Sequence, residues 1–140
     1  MNIKDCIEFI NGNALCYYET FEDDQPRIRA MNSWFTDESG FYFQTGDINS
    51  VYEQFQKNPK TEICFYKQEK VTGSILRISG EVEFISDKKI LADLLNSKKF
   101  IKSFGKVSES ADLIAFRISH GTANFWTMEN NIKPKESFNF

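Results

Sequence analysis

Apolar residues near the start of the chain recur at the spacing of one helix face, at Ile3, Cys6, Ile7 and Ile10. Gly12 stands where a C-terminal cap belongs, so the pattern predicts a helix over residues 3–11. A second helical face follows at Val51, Tyr52 and Phe55, and Asn58-Pro59 ends that helix. A third helix is predicted after Ser86-Asp87, with its apolar face at Ile90, Leu91, Leu94 and Leu95.

Between the helices, the pattern changes to the alternation of polar and apolar residues that is typical of β-strands. The predicted strands cover residues 14–21, 27–35, 41–45, 61–67, 74–85, 113–119 and 122–128. The two strands on either side of a polar turn at 36–40 are expected to form a hairpin over residues 27–45. A tight turn at His120-Gly121 predicts a second hairpin near the end of the chain.

This order of elements predicts the fold class. Antiparallel strands with a few flanking helices indicate a mainly β fold of the α+β class, arranged as a β-barrel. No linker or change of composition divides the chain, so residues 1–128 are expected to form a single domain. Residues 129–140 form a polar C-terminal tail that contains Pro134, and we expect this tail to fray.

Charge excludes one class of partner. Among 140 residues, 17 are Lys or Arg and 20 are Asp or Glu, which gives a formal net charge of −3. Because no excess of cations is available to neutralise phosphates, nucleic acid is not an expected partner. The densest basic segment, residues 98–102, is short and amphipathic, and we interpret it as a solvated helix face.

The cysteines and the single histidine limit the chemistry further. Cys6, Cys16 and Cys64 are widely spaced and odd in number, so reduced and mostly buried thiols are expected. With no signal peptide at its start, the chain is predicted to be cytoplasmic. Its apolar runs are too short to cross a bilayer, so no membrane segment is expected. One histidine, His120, excludes most zinc sites, and no metal site is predicted.

Residues 26–85 resemble a known family. The segment Pro26-Arg27-Ile28-Arg29-Ala30-Met31 is similar to the P-x-x-R-x-M strand of the pyridoxamine 5'-phosphate oxidase-like, FMN-binding split-barrel family. The likeness continues through residues 40–45, 50–59, 62–66 and 79–82, and through the closing strands 113–119 and 122–128. It implies a split β-barrel, a homodimer, and flavin mononucleotide (FMN) held in the seam between the two subunits.

The phosphate of FMN needs cations. Arg27 and Arg29 lie two residues apart on a predicted strand, so both side chains project from one face, and guanidinium groups suit phosphate oxygens. A pair of solvated strand arginines would show the same pattern. The resemblance implies that Arg29 contacts the phosphate, with Arg27 as the weaker candidate.

The start of the second helix is the other candidate phosphate ligand. Thr45, Asn49 and Ser50 bracket this helix start, where free N–H groups and the positive end of the dipole favour an anion. Plain capping is the alternative interpretation, because Ser50 and Glu53 have the spacing of a capping box. The family usually places a lysine at this helix start, whereas residues 46–56 contain no Lys and no Arg. We therefore expect FMN to bind less tightly than in typical relatives.

For the flavin ring, the resemblance implies contacts with the backbone of Ala30, Met31, Phe43 and Gln44. Met31 and Phe43 are equally typical of an ordinary core. Trp126 lies on the last predicted strand and would cover the flavin of the partner subunit or line the substrate space. A core or interface tryptophan is the alternative interpretation.

The predicted function is that of an FMN-dependent oxidoreductase acting on a small acceptor, with reduced nicotinamide as a candidate electron donor. The sequence contains no GxGxxG motif, and it assigns no catalytic residue. The hairpin at residues 121–128 has no Arg or Lys to hold a substrate phosphate, so negligible oxidation of pyridoxamine 5'-phosphate is expected.

Two alternatives remain open. A non-catalytic module that stores or senses FMN or another flat ligand is favoured by the missing lysine. A haem protein with His120 as axial ligand rests on that one histidine, which a surface turn explains better.

Overall fold

The computed structural model describes residues 1–46, 49–96 and 113–140. In these ranges the chain forms three helices: α1 (Ile3–Asn11), α2 (Ser50–Lys57) and α3 (Lys88–Asn96). Its ten strands are β1 (Leu15–Glu22), β2 (Gln25–Asn32), β3 (Phe35–Asp37), β4 (Gly40–Gly46), β5 (Lys60–Gln68), β6 (Gly73–Glu81), β7 (Glu83–Phe84), β8 (Leu113–Ile118), β9 (Gly121–Trp126) and β10 (Ser137–Asn139). The basic segment at residues 98–102 lies outside the described residues.

The strands form two antiparallel sheets. The six-stranded sheet has the order β10-β9-β6-β5-β1-β2, and the four-stranded sheet has the order β3-β4-β8-β7. The sheets face each other without closing into one continuous barrel, which is the split β-barrel arrangement. The predicted fold class, mainly antiparallel β with flanking helices, is confirmed.

The first predicted hairpin is right at its turn, where β3 pairs with β4, and wrong for residues 27–32, which form part of β2. β2 pairs with β1 in the six-stranded sheet, whereas β4 pairs with β3 and β8 in the other. The chain changes sheets at two adjacent residues: the Ser33 N–H donates to Ala14 O (2.7 Å), and the Trp34 N–H donates to Tyr42 O (3.0 Å). Alternation of side chains continues through this crossing, so the pattern resembled one unbroken strand.

The second predicted hairpin is wrong, for the same reason. β8 pairs with β4 and β7, while β9 pairs with β6 and β10. The turn at residues 119–120 is therefore a corner between the sheets. His120 lies at this corner with its side chain 86% exposed. The structure thus places His120 on the surface, whereas an axial haem ligand lies in a buried pocket.

The main core lies between the two sheets. It is rich in fully buried aromatic and aliphatic side chains, namely Phe41, Phe43, Phe55, Phe65, Phe116, Ile63, Leu76, Ile78 and Ile118. Helices α1 and α2 add Cys6, Ile10 and Val51 to this core, so each helix buries one face. The opposite face of the four-stranded sheet carries a smaller cluster around Trp34, Tyr42 and Ala115, and α3 packs on it through Ile90 and Leu91.

The C-terminal segment is ordered, so the expectation that it frays is wrong. β10 pairs with β9, and Phe140 exchanges backbone hydrogen bonds with Gly121 (3.1 and 3.2 Å). The Phe140 ring packs edge-on against Phe41 with centroids 5.0 Å apart, and Phe138 also contacts the core. Because the residues before Ser137 are mostly polar, the sequence pattern did not indicate that Phe138 and Phe140 pack against the core.

The structure agrees with the thiol prediction. Cys6 and Cys16 are buried, Cys64 is half-buried, and all three are free. Among the described residues, no helix is both long and apolar enough to cross a membrane.

Candidate functional site

Arg29 points from β2 towards the start of helix α2. It pairs in register with Tyr18 on β1, so its side chain projects from the same face as the buried Tyr18 and Thr20. The half-buried guanidinium donates through Nη1 to Thr20 Oγ1 and through Nη2 to Ser50 Oγ (3.4 Å). A strand arginine is thereby fixed beside a helix N-terminus, with further N–H groups left for a ligand.

Two buried polar side chains hold this arrangement. Thr20 is fully buried and donates a hydrogen bond of 2.6 Å to Gln54 Oε1. Gln54, itself buried, lies one turn after Ser50 on the same face of α2. The threonine hydroxyl therefore links the arginine on β2 to the helix, and it fixes the distance between them.

Within the described residues, the start of α2 has no side-chain cap. Asn49 occupies the N-cap position but makes no capping hydrogen bond; its Nδ2 donates instead to Thr45 Oγ1 (3.3 Å). The Ser50–Glu53 capping box does not form, because Asn49 and not Ser50 is the N-cap residue, and the Glu53 carboxylate accepts from Lys57 Nζ (2.8 Å). No described side chain therefore accepts from the first-turn N–H groups at the positive end of the helix dipole.

The structure therefore brings Arg29, Thr45, Asn49 and Ser50 together, and it does not bring Arg27 to them. Arg27 lies on the same face of β2 but forms an ion pair with Glu22, with Nη2 2.6 Å and Nε 2.7 Å from Oε2. Both of these side chains are about half exposed at the end of the β1–β2 hairpin. The two arginines have different partners despite equivalent positions in the alternation.

The side chains of the four residues proposed to contact the flavin ring through their backbone point in different directions. Phe43 is fully buried and stacks on Phe116 with centroids 5.6 Å apart, so its side chain belongs to the core. Met31 is half-buried against the same core, and Ala30 faces outward from β2. Gln44 points to the other side of β4, where its Oε1 is buried with no hydrogen-bond partner among the described residues.

Trp126 lies at the other side of the six-stranded sheet. Three strands, β6, β5 and β1, separate β9 from β2, a distance of roughly 19 Å across the sheet. Within one chain Trp126 cannot contact a molecule bound at Arg29. The expectation that no cation lies near this strand is wrong, because Arg77, Lys133 and Lys135 line a cavity beside Trp126.

Sequence analysis missed Thr20 and Gln54. Thr20 shares the alternation of Cys16 and Tyr18, which places it on the inward face of β1, and Gln54 lies four residues after Ser50. Those two spacings could have identified Thr20 and Gln54 as inward-facing polar residues. The hydrogen bond between them could not be predicted, because 34 residues separate them in the sequence.

The cluster can bind an anion but carries little chemistry of its own. Burial raises the pKa of the Tyr18 hydroxyl next to Arg29, although the guanidinium charge opposes this. Burial also raises the pKa of Cys6 and of Cys16 to about 12, so neither thiol supplies a nucleophile at neutral pH. In the described part of the chain, no group of three or more His, Cys, Asp or Glu residues is placed to hold a metal ion.

Fold and site together define a split β-barrel protein with a candidate anion site between the β1–β2 hairpin and the start of helix α2. A family model described as pyridoxamine 5'-phosphate oxidase matches residues 4–126. The chain belongs to the pyridoxamine 5'-phosphate oxidase family. None of the curated proteins compared with the chain matches it in sequence.

Solved structures agree on the fold. A NimC/NimA family protein from Clostridium acetobutylicum is 22% identical, with a TM-score of 0.77 over 100% of this chain and 94% of that one. General stress protein 26 from Bacillus anthracis is 15% identical, with a TM-score of 0.73 over 100% of both chains. A protein described as FAD-binding, from Mesorhizobium loti, is 14% identical, with a TM-score of 0.64 over 91% of this chain and 96% of that one.

Proposed function

We propose that the chain is a homodimeric FMN protein that transfers electrons to or from a small acceptor. The observation that carries the proposal is the position of Arg29, which Thr20 and Ser50 hold at the uncapped start of α2. A guanidinium next to free helix N–H groups is the arrangement that binds a phosphate monoester. The residues present therefore fit the phosphate of FMN.

Family membership supports a flavin, and the site favours FMN among flavins. The structural relative from Mesorhizobium loti is described as FAD-binding. One arginine and one helix start provide donors for a single terminal phosphate, whereas the diphosphate of FAD needs a longer cradle. When bound, FMN would supply the redox chemistry, and the chain's own residues would bind and orient it.

A second copy of the chain is proposed to complete the site. β2 lies at one end of the six-stranded sheet, so a molecule anchored at Arg29 would lie near a sheet edge that a second copy can approach. The outward face of the same sheet exposes large apolar side chains: Leu15 (49%), Tyr17 (47%), Ile28 (75%) and Tyr66 (42%). Burying them against a second copy would remove an apolar patch of a kind that monomers rarely expose. Ile28→Glu should make the protein monomeric in size-exclusion chromatography with light scattering.

The proposed compartment is the cytoplasm, because three free thiols suit a reducing environment. Pyridoxamine 5'-phosphate is not the proposed substrate. β9 itself carries no cation, and the Glu62 carboxylate, 3.8 Å from Arg77, offsets part of the positive charge that Arg77, Lys133 and Lys135 place beside this strand. An oxidase assay with this compound should give no turnover at ordinary enzyme rates.

The proposal is tested in two steps: the selectivity of the protein among flavins, and then the reduction of bound FMN. Purified apoprotein is titrated with FMN, riboflavin and FAD by flavin fluorescence. FMN should bind at least about tenfold more tightly than riboflavin, because only FMN brings the phosphate to Arg29. Equal affinities for FMN and riboflavin would overturn the phosphate assignment. Reduced nicotinamide added anaerobically should then bleach the FMN absorbance, and a quinone or nitroaromatic acceptor should restore it.

A non-catalytic flavin-binding module is the second candidate. The specific observation in its favour is the start of α2, where the described residues from Asn49 to Gln56 include no Lys or Arg to add to Arg29. Weak binding suits a sensor or store better than a resident redox cofactor. FMN that binds but is neither bleached by nicotinamide nor reoxidised by acceptors would support this candidate over the enzyme.

A further inference from the structure

A cavity of ≈ 390 Å³ lies on the outward face of the six-stranded sheet, over β6 and β9. Cys64, Ile75, Arg77, Asn124 and Trp126 form its floor, and residues 130–135 form one wall. This volume falls in the range of small-molecule sites. Arg29 projects from the inward face of the same sheet, so within one chain the cavity is separate from the proposed phosphate site.

The wall of the cavity is built from specific hydrogen bonds. The Trp126 indole Nε1 donates to Asn131 Oδ1 (2.9 Å). Asn130 closes a turn on the end of β9: its Oδ1 accepts from the Thr127 N–H (2.7 Å), and its Nδ2 donates to Phe125 O (3.4 Å). These bonds connect the segment before β10 to the end of β9 and to the tryptophan ring.

The charge of the cavity is positive, on a protein whose net charge is negative. Of the residues that the structure describes, its lining contains Arg77, Lys133 and Lys135 and no Asp or Glu. The Arg77 Nε donates to Asn124 Oδ1 (3.1 Å), which fixes the orientation of the guanidinium. The whole chain has a net charge of −3, so this local cluster of cations should attract small anions more strongly than the rest of the surface does.

Glu62 limits how much negative charge the cavity can hold. Its Oε1 lies 3.8 Å from Arg77 Nη1, and the two side chains are 46% and 35% exposed. This carboxylate offsets part of the positive charge that a phosphate dianion would need, while a planar carboxylate can still form two parallel hydrogen bonds with the guanidinium fork. Trp126 and Ile75 provide the flat apolar surface for a ring.

We infer that this cavity binds a small aromatic carboxylate, with its ring against Trp126 and its carboxylate on Arg77, Lys133 and Lys135. The inference does not depend on flavin binding, because it uses none of the residues around Arg29. If flavin also binds, the aromatic carboxylate is a candidate substrate or effector.

The test uses four aromatics that share a nitrophenyl ring and differ in charge: 4-nitrobenzoate, 4-nitrobenzyl alcohol, 4-nitrobenzylamine and 4-nitrophenyl phosphate. Isothermal titration of the full chain should show that the benzoate binds at least tenfold more tightly than the alcohol. The amine should not bind measurably, and the phosphate should bind more weakly than the benzoate. Equal binding of benzoate and alcohol, or tighter binding of the phosphate, would overturn the inference.

Variants locate the binding. Arg77→Met should weaken benzoate binding at least tenfold, and the exposed pair Lys133→Gln/Lys135→Gln should weaken it several-fold without disturbing the fold. Lys60→Gln, which removes an exposed cation elsewhere on the sheet, is the matched control and should change nothing. If none of the cavity variants changes the affinity, or if FMN displaces benzoate one for one, a separate carboxylate site is refuted.

Discussion

The hydroxyl of Thr20 donates to Gln54 Oε1 across 2.6 Å, and this bond joins strand β1 to helix α2 beneath Arg29. Both residues are buried, so neither can exchange its partner for water without a local opening. The bond thus determines where the helix start lies relative to the arginine. The candidate anion site depends on two residues that would not themselves touch a ligand.

Replacing Thr20 by Val should disturb both stability and binding. The variant keeps the shape but leaves Gln54 Oε1 buried without its donor, so the free energy of unfolding should fall by about 1–3 kcal/mol. Arg29 also loses its acceptor, so FMN should bind more weakly. Urea unfolding and FMN titration measure the two effects. Thr20→Ser, which keeps the hydroxyl, is the control, and an unchanged Thr20→Val protein would show that the bond contributes nothing.

Arg29 and Arg27 form a matched pair for testing the phosphate site. Arg29→Met should raise the Kd for FMN by about ten- to a hundredfold, because a charge-assisted hydrogen bond to phosphate is lost. Arg27→Met should have little effect, since Arg27 is already paired with Glu22. Riboflavin, which has no phosphate, should bind both variants as it binds the original protein. Similar losses of FMN affinity in both variants would contradict the separate placement of the two arginines.

Adding a lysine at the start of α2 should strengthen FMN binding. Asn49 is exposed at the N-cap and makes no capping bond, so Asn49→Lys places an ammonium beside the phosphate site. We expect the Kd to fall by about three- to tenfold at low salt and the gain to vanish near 1 M salt. The cation opposes the helix dipole, so stability should fall by about 0.3–1 kcal/mol. Asn49→Gln should change neither, and an equal gain with Gln would exclude charge as the cause.

Helix α1 shows what local pattern predicts well. Its bounds, Ile3–Asn11, are those expected from apolar spacing and from Gly12, because both signals lie within a few residues of one another. Pairing of strands is not local. Ser33 and Trp34 bond to different sheets, and only the partners Ala14 and Tyr42 reveal this. Alternation gives the face of each side chain but not the strand beside it, so the first hairpin was predicted only in part and the second was wrong.

In the candidate site, too, the features set by local sequence were predictable and the contacts between distant segments were not. Arg29, Asn49 and Ser50 were named from a strand alternation and a helix start, and the structure brings them together. The Thr20–Gln54 bond and the meeting of Arg77 with Lys133 and Lys135 join segments that are far apart in sequence. Local periodicity carries no information about such contacts, and they are what gives both binding surfaces their shape.

Gly40 should tolerate no side chain. Its φ is +136°, and an added Cβ would lie 2.5 Å from the carbonyl oxygen of Ile118 on the neighbouring strand β8. Gly40→Ala should therefore lower the free energy of unfolding by at least about 1–3 kcal/mol, through backbone strain and displacement of that carbonyl. Gly12→Ala is the control, because Gly12 has φ −97° and nothing within 4 Å of its added Cβ. It should be neutral or stabilising by up to about 1 kcal/mol. Equal effects in chemical denaturation would contradict this difference.

Glu83 should contribute stability that disappears in acid. The Ser119 hydroxyl (2.6 Å) first, and then Arg117 Nε (3.0 Å), hold the pKa of this carboxyl below its ordinary value, while partial burial opposes them. His120 Nδ1, 3.9 Å away, is the other titratable group facing it.

Because the folded pKa is the lower one, the stabilisation is complete above the unfolded value of 4.5 and is lost as the pH falls through the folded pKa. Glu83→Gln should therefore lower the free energy of unfolding by about 0.2–1 kcal/mol at pH 7, a modest amount because the side chain is 46% exposed. The difference should shrink as the pH falls below 4.5 and disappear once the pH is below the folded pKa. Urea unfolding across this range measures it, with Glu136→Gln on the exposed C-terminal segment as control. A difference that stays constant from pH 7 to pH 3 would show that Glu83 acts through packing and not through its charge.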